Sequence, residues 1–324
     1  MTDKSKKIIS IVSSVDEKMV LPLTVMLFSL IKNLSSKCIA EITILHDSLA
    51  NDSRQRIIGV VGNFSNARVT FYEVDHHVFE SVFVGHLSLA TYYRLLIPKI
   101  INVKHNKAIY LDADLLVMDD IAKLWDVDLG DNLLGAVADF FGDYRFNAGV
   151  LIYNLRKWRE KPLAQTVVDY ANNNADTLAC HDQQTLNIFS RGRWLPLDMA
   201  WNVCAHHFSF AVHNLITYKY IFYPKIIHFS GYPKIWQGAL HPYKGEYKRY
   251  AEMVGWTIFS TKTVGDRFVY FFSMKWVVRV LIPLFIIRAA IEKTFLTPSR
   301  EFRGRLGLRK SQIIRWLVIL VGER

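Results

Sequence analysis

The amino-acid sequence predicts an α/β fold built around a mostly parallel sheet. Through the first half of the chain, short apolar runs typical of buried strands alternate with longer segments of helical spacing. Because parallel strands are joined by crossover connections, this alternation favours helices packed on a parallel sheet. The chain has 324 residues, of which 51% are hydrophobic, and this is enough for one large domain with an appendage.

The first half of the chain supplies seven predicted elements. In chain order they are a strand at Lys7–Ser14, a helix at 21–31, a strand at 41–46, a helix at 52–64, a strand at 68–74, a helix at 92–97 and a strand at Lys107–Leu111. In the second helix, Ile57, Ile58 and Val61 are predicted to share the buried face. Pro98 is predicted to end the third helix. In such folds, ligands bind beyond the carboxyl ends of the strands.

The second half is less regular, and its character changes near residue 260. Strands are predicted at 133–137, 149–153 and 226–229, and helices at 158–172 and 183–189. Residues 267–324 hold twelve Lys or Arg and three Glu, a net charge of +9, whereas residues 1–266 hold 28 basic and 26 acidic residues. We therefore expect a globular domain at 1–260 and a basic, apolar helical C-terminal region at 261–324, which would bind a polyanion such as anionic lipid or nucleic acid.

The cysteines and the apolar runs indicate a reducing compartment. Cys38, Cys180 and Cys204 are few and widely separated, as is typical of reduced thiols in a cytosolic protein. The apolar run after the basic N-terminus is too short for a secretory signal. The expected location is the cytoplasm, with peripheral association at the inner face of the cell membrane.

Two Asp-x-Asp triplets stand in the sequence, and about one is expected by chance in a chain of this size. Asp112 and Asp114 directly follow the strand Lys107–Leu111, at a carboxyl end where ligands bind. Asp126 and Asp128 follow Trp125 in a predicted turn, where capping and solvation are the favoured interpretation. The first pair is therefore the candidate site.

Paired carboxylates suit a divalent cation that grips a diphosphate. Such a cation neutralises the charge that develops on a diphosphate leaving group. The alternative is that Asp112 and Asp114 only cap the following turn, and the local pattern leaves both interpretations open. Neither a G-x-G-x-x-G nor a G-x-x-x-x-G-K-[ST] loop is present in the sequence, so a diphosphate is not held by those motifs.

Four segments resemble glycosyltransferase family 8 in order and spacing: YLDAD at 110–114, FNAGVLIYNL at 146–155, DQQTLN at 182–187 and HFSGYPKIW at 228–236. The similarity runs from about residue 8 to residue 236 and is greatest to the bacterial lipopolysaccharide galactosyl- and glucosyltransferases. It implies a GT-A type, Rossmann-like domain. It also implies retaining transfer of galactose or glucose from a UDP-sugar to a glycan or glycolipid acceptor, with Mn²⁺.

The resemblance assigns roles to individual residues. It implies that Asp112, Asp114 and His228 are metal ligands and that Asp182 and Gln183 are the catalytic residues. It implies that the UDP-sugar and its cation contact Asp16 (at the uracil), His86, Gly231 and Lys234 (at the diphosphate), Arg94, Asn147, Asp182 and Gln183 (at the sugar), and Asp112, Ala113, Asp114, Ala148 and His228. The segment LDMAWN at 197–202 receives no firm role.

Structural alternatives stand beside these roles. His228 follows two isoleucines and is also typical of a core histidine; Arg94 would also serve as an ion pair to a buried Asp, and Asn147 as a turn residue. A sugar-phosphate nucleotidyltransferase is a second enzyme class, but its Gly-rich N-terminal loop is absent at residues 13–16. A non-catalytic polyanion-binding protein is a third possibility. The sequence leaves open galactose against glucose, the acceptor and the oligomeric state.

The basic C-terminal region predicts an interfacial anchor. Residues 268–291 are apolar but contain Lys275, Arg279, Arg288 and Pro283. Arg279 at the centre of a spanning helix would cost about 2.5–3.5 kcal/mol. We therefore expect attachment to an anionic membrane surface, with no nucleic acid as partner; the alternative is an ordinary core helix with solvated arginines.

Overall fold

The structure is a computed structural model, and it describes residues 6–79, 82, 88–139, 145–160, 163–178, 181–204, 223–231, 233–239 and 241–257. The predicted boundary near residue 260 and the whole basic C-terminal region lie outside the described residues. Within the described ranges, no helix has both the length and the apolar character needed to cross a bilayer.

The strands reproduce most of the predicted positions. They are β1 Lys7–Ser14, β2 Cys38–His46, β3 Ala67–Glu73, β4 Lys107–Leu111, β5 Leu115–Val117, β6 Leu134–Ala138, β7 Phe146–Asn154, β8 Trp194–Pro196, β9 Val203–Cys204 and β10 Ile226–His228.

Helices lie between these strands and after the last of them. They are α1 Val20–Asn33, α2 Asn51–Gly62, α3 Ile97–Ile100, α4 Ala122–Trp125, α5 Leu155–Arg159, α6 Leu163–Asn173, α7 His181–Phe189 and α8 Lys244–Met253. Short 3-10 helices cover Glu17–Met19, His76–Phe79, Leu89–Leu96, Ala175–Thr177, Met199–Trp201 and Ile235–Gln237.

The main sheet has seven strands in the order β3-β2-β1-β4-β7-β6-β8. Neighbouring pairs from β3 to β4 are parallel, as is β6 with β8, whereas β7 is antiparallel to both of its neighbours. The mostly parallel sheet of the prediction is thereby confirmed. A second sheet of three strands has the order β5-β10-β9.

Both faces of the main sheet are buried, as the apolar runs predict. Along β4, Ile109 and Leu111 belong to one hydrophobic cluster, whereas Ala108 and Tyr110 belong to another. Successive strand residues point to opposite faces, so each cluster packs against one side of the sheet. A third cluster, which includes Leu116 and Ile227, lies under the second sheet.

Three local predictions are wrong. Ile58 is exposed, whereas Ile57, Val60 and Val61 are buried. The buried face is centred near Ile57, with Val60 and Val61 three and four residues further on, and Ile58 lies about 100° around the helix from Ile57. Pro98 lies in the first turn of α3 instead of ending a helix, where its missing N–H costs nothing. The predicted helix at 158–172 is two helices, α5 and α6.

Candidate active site

The first Asp-x-Asp triplet lies in the turn between β4 and β5. The backbone N–H of Asp112 donates to Gly149 O at 2.9 Å, which ties the turn to the start of the antiparallel strand β7. The carbonyl of Asp114 accepts from Phe229 N at 3.0 Å, just after β10. The triplet therefore lies where the two sheets meet, at the carboxyl edge of β4.

The second sheet brings His228 to the same edge. Its three strands pair β10 with β5 and β9, so that His228 is the register partner of both Leu115 and Cys204. His228 Nε2 lies 3.3 Å from Asp114 Oδ1 and 3.7 Å from Asp112 Oδ2. One ligand atom from each of these three residues lies within 4.8 Å of both others, and Asp114 and His228 are buried.

Close packing at this cluster requires a glycine at position 149. A Cβ on Gly149 would lie 2.3 Å from His228 Cε1 and 2.8 Å from Asp112 Oδ2. Both distances are far below van der Waals contact, and the atoms met are a buried ring and a proposed ligand oxygen. The backbone of β7 thus forms one wall of the cluster, and any larger residue there would displace its members.

The two oxygens of Asp112 have different surroundings. Oδ1 accepts from Tyr110 OH at 2.8 Å and pairs with Arg94 Nη2 at 2.9 Å. The Tyr110 hydroxyl also lies 2.8 Å from Ser14 Oγ. Oδ2 is the oxygen that faces His228. This arrangement fixes the carboxylate plane and directs Oδ2 towards the cluster.

Arg94 connects the triplet to α7. It is buried, its Nε pairs with Asp182 Oδ2 at 3.0 Å, and its Nη1 donates to Ala148 O at 2.6 Å. Burial alone would lower the pKa of Arg94, but Asp112 and Asp182 outweigh burial and raise that pKa. The ion pair to a buried Asp, which the sequence left as an alternative for Arg94, is present with two carboxylates.

Asp114 pairs with two basic side chains, those of His228 and Lys234. Its Oδ2 lies 2.6 Å from Lys234 Nζ, and Lys234 also donates to Phe229 O at 3.2 Å. Burial raises the pKa of Asp114, but His228 and Lys234 outweigh burial and hold that pKa below its usual value. Burial lowers the pKa of His228, but above all Asp114 raises it to about 10. The Asp114 carboxylate is therefore ionised across the ordinary pH range.

Asn147 and Gln183 accept hydrogen bonds from the backbone of β7 at Gly149 and Ala148. Gln183, on α7, accepts from Ala148 N at 3.0 Å through Oε1. Asn147 Oδ1 accepts from Gly149 N at 2.9 Å and from Asn202 Nδ2 at 2.8 Å. Both side chains are only partly buried, so this pair borders the cluster and reaches solvent.

The remaining candidates are Asp16, Gly231, Ala113, Ala148 and His86. Asp16 follows β1 at the same sheet edge, and its Oδ1 accepts from Met19 N at 3.0 Å as a helix cap. Gly231 has φ +87° in the loop after β10, which is a conformation that favours glycine. Ala113 and Ala148 are buried. His86 lies outside the described residues.

Sequence reasoning missed four residues that shape this site, namely Ser14, Tyr110, Gly149 and Asn202. Tyr110 and Gly149 stand inside the quoted segments, but the sequence alone did not show that a hydroxyl and a missing Cβ would matter there. Asn202 ends the segment LDMAWN that received no role. A second group of potential ligands, Asp75, His76 and His77, is exposed, so water competes for it.

Comparison with known proteins identifies the family and the fold. Residues 10–239 match the family model described as glycosyl transferase family 8. General stress protein A of Bacillus subtilis is 28% identical over 291 residues, which cover 81% of this chain and 100% of that protein. A putative glycosyltransferase of Haemophilus influenzae is 30% identical over 236 residues, 66% of this chain and 68% of that protein.

Glycosyltransferase GlyA of Streptococcus pneumoniae is 34% identical over 177 residues, which are 53% of this chain but only 24% of that longer protein. Among solved structures, the galactosyltransferase LgtC in complex with donor and acceptor sugar analogues has a TM-score of 0.65 at 25% identity, covering 81% of this chain and 100% of that one. The family model spans more than half of the chain, and the fold is shared. This chain therefore belongs to glycosyltransferase family 8, a family of enzymes that transfer sugars.

Proposed function

We propose that this protein is a metal-dependent, retaining hexosyltransferase that moves galactose or glucose from a UDP-sugar to a glycan or glycolipid acceptor, such as lipopolysaccharide core or a cell-surface polysaccharide. The observation that carries the proposal is the cluster of Asp112, Asp114 and His228 against the glycine backbone at position 149. The similarity to LgtC, whose structure holds donor and acceptor sugar analogues, supports sugar transfer between such partners.

The three residues of this cluster fit a divalent cation. Two carboxylates and one imidazole converge on a partly buried site that a single Cβ at position 149 would obstruct. An imidazole ligand suits Mn²⁺ better than Mg²⁺, which prefers oxygen. When bound, such a cation supplies Lewis-acid stabilisation of the leaving diphosphate. Lys234, Gly231 and His86 are the proposed diphosphate contacts, and Asp16 is the proposed uracil contact.

On the sugar side, we assign Arg94, Asn147, Asp182 and Gln183 to the donor hexose, with Asp182 and Gln183 catalytic. The Gln183 amide is a poor nucleophile, but its carbonyl oxygen can stabilise developing positive charge. A glutamine-to-glutamate variant of LgtC is described as an active-site mutant, which is consistent with a glutamine in this role. We therefore favour attack on the same face of the sugar that the diphosphate leaves.

Donor hydrolysis tests this proposal without an acceptor. A panel of UDP-sugars is incubated with the full chain and Mn²⁺, and UDP release is measured. We expect hydrolysis of UDP-galactose or UDP-glucose, loss of activity in EDTA and recovery on adding Mn²⁺. Full activity in EDTA would exclude metal dependence. NMR of the fresh product gives the stereochemistry, and a β-linked product from an α-linked donor would exclude retention.

The placement at the membrane remains a separate proposal, because residues 261–324 lie outside the described residues. It rests on the net charge of +9 at residues 267–324 and on the energy that basic residues gain near anionic lipid, about 1 kcal/mol each. Deletion of residues 267–324 should release the protein from anionic vesicles and spare donor hydrolysis. A full-length chain that ignores anionic vesicles at low salt would refute this placement.

A further inference from the structure

Asn202, the last residue of the segment LDMAWN, lies directly behind the proposed ligand His228. Asn202 is fully buried, and its Oδ1 lies 3.0 Å from His228 Nδ1. The other ring nitrogen, Nε2, is the one that faces Asp114 Oδ1 at 3.3 Å. Asn202 therefore contacts the nitrogen of His228 that points away from the carboxylates.

The direction of this hydrogen bond follows from one backbone group. Gly149 N–H can only donate, and its partner at 2.9 Å is the side-chain oxygen of Asn147. The same Asn147 oxygen lies 2.8 Å from the Asn202 side chain, so Asn202 must present its NH₂ group there. The other side-chain atom of Asn202 is then its carbonyl oxygen, which only accepts. A hydrogen must therefore stand on His228 Nδ1, which leaves Nε2 as the ring nitrogen that a cation can take, with release of any proton it carries.

We propose that Asn202 is a positioning residue that holds His228 as the Nδ1–H tautomer and aims its Nε2 at the space between Asp112 and Asp114. This inference rests on the proposed function, because it concerns the same cation site. Histidine ligands commonly donate their second N–H to a fixed acceptor, which sets the tautomer and the ring orientation. Here the acceptor is anchored through Asn147 to the backbone of β7, the strand that also walls the cluster.

Cys204 is the other group close to His228 Nδ1. Its Sγ lies 3.7 Å from that nitrogen and 3.6 Å from Asn202 Oδ1. A thiol is a weak donor and a weak acceptor, and its contact is longer than that of Asn202. Cys204 is therefore a neighbour that packs against the pair, and Cys204→Ala serves as the matched control.

The role of Asn202 is tested by measuring Mn²⁺ binding to the full chain. The EPR signal of unbound Mn²⁺ is the readout. Asn202→Leu keeps the branched shape of the side chain and removes the acceptor, so we expect Mn²⁺ affinity to fall by about 10–100-fold. Cys204→Ala leaves the hydrogen bond between Asn202 and His228 in place and should change the affinity little. Wild-type affinity in Asn202→Leu would overturn the inference, as would an equal loss in Asn202→Leu and Cys204→Ala.

His228→Ala separates the inference from the function on which it rests. Unchanged Mn²⁺ affinity in His228→Ala would overturn the cation site itself. Weakened affinity in His228→Ala together with wild-type affinity in Asn202→Leu would overturn only the role of Asn202.

¹⁵N NMR of the wild-type chain, labelled at histidine and loaded with Zn²⁺, reads the tautomer without relying on the folding of Asn202 variants. The His228 signal is assigned as the one that the spectrum of His228→Ala lacks. In the wild type this signal should show a hydrogen on Nδ1. A hydrogen on Nε2 would overturn the proposal.

Discussion

Two Asp-x-Asp triplets of one chain lie in very different surroundings. Asp112 and Asp114 end a buried strand, and their oxygens contact Arg94, Tyr110, His228 and Lys234. Asp126 follows α4, and its side chain is 57% exposed and pairs with exposed Lys7 at 2.7 Å. Asp128 accepts from Gly130 N at 2.9 Å within a turn. The same three-residue pattern thus makes a convergent cluster in one place and a solvated turn in the other.

Position at the sheet edge therefore decides whether a carboxylate pair can bind a cation. A buried carboxylate is poorly screened, so a neighbouring charge acts strongly on it, and the lowered pKa of Asp114 reflects His228 and Lys234 overcoming burial. An exposed carboxylate such as Asp126 is solvated by water and screened by salt. Only the first pair has fixed partners that can hold its oxygens ready for a cation.

The largest expected effect is the loss of donor hydrolysis when a proposed metal ligand is replaced. Asp112→Asn or Asp114→Asn removes a charged ligand of the proposed cation. Loss of a residue that supports a metal ligand typically costs about 10–100-fold, and we expect loss of the ligand itself to reduce donor hydrolysis further. Circular dichroism should show that both variants still fold. Asp126→Asn and Asp128→Asn are the matched controls and should keep wild-type turnover. Equal losses in both pairs would show that the distinction is wrong.

Gly149→Ala should have the next largest effect. The new Cβ would contact His228 Cε1 and Asp112 Oδ2 at distances that force these groups apart, so Mn²⁺ affinity and donor hydrolysis should fall at least about 10-fold, as for other displaced ligands. Isothermal titration with Mn²⁺ measures the change.

Gly59→Ala is the control for this substitution. A Cβ on Gly59, which is exposed on α2, meets nothing within 4 Å. Its activity should be unchanged, and its free energy of unfolding should rise by about 0.5–1 kcal/mol because alanine favours the helix. Full Mn²⁺ affinity in Gly149→Ala would contradict the close approach of the ligands to this strand.

The sequence predicted one half of the candidate site on physical grounds. Asp112 and Asp114 were placed correctly because an uninterrupted apolar run ends at Leu111, and the strand ends there in the structure. His228 stands far along the chain, and only pairing in the second sheet brings it to Asp114. No local pattern reports that pairing, so its position followed from the resemblance alone.

The other half depends on properties that periodicity does not encode. In the sequence, Gly149 is an ordinary strand residue. Only the structure shows that a Cβ at this position would collide with the ring of His228. Asn202 has a direction of hydrogen bonding that is set by Gly149 N–H through Asn147. Pro98 was misplaced because proline ends one helix and begins another with the same local signal.

A smaller effect is expected from the support of Asp112. Tyr110→Phe removes only the hydroxyl that donates to Asp112 Oδ1 at 2.8 Å. A hydrogen bond to a charged group contributes about 1.5–3 kcal/mol, so the free energy of unfolding should fall by about that amount, and Mn²⁺ affinity should weaken modestly. Urea unfolding and Mn²⁺ titration measure both. Tyr72→Phe, at an exposed position, is the control, and a loss confined to Tyr72→Phe would contradict the proposed support.

The smallest effect is expected at the exposed ion pair between Lys7 and Asp126, which belongs to the second triplet. Lys7→Ala removes the ion pair with Asp126. Both side chains of this pair are exposed. Because an exposed pair holds its side chains in place at an entropic cost and is screened by salt, it contributes little to stability. The urea midpoint should fall slightly at low ionic strength, and the difference should vanish near 1 M NaCl, where the Debye length is about 3 Å. Mn²⁺ affinity and donor hydrolysis should equal those of the wild type at every salt concentration. A salt-independent loss of Mn²⁺ affinity in Lys7→Ala would mean that the second triplet is linked to the first, and that the two carboxylate pairs do not act separately.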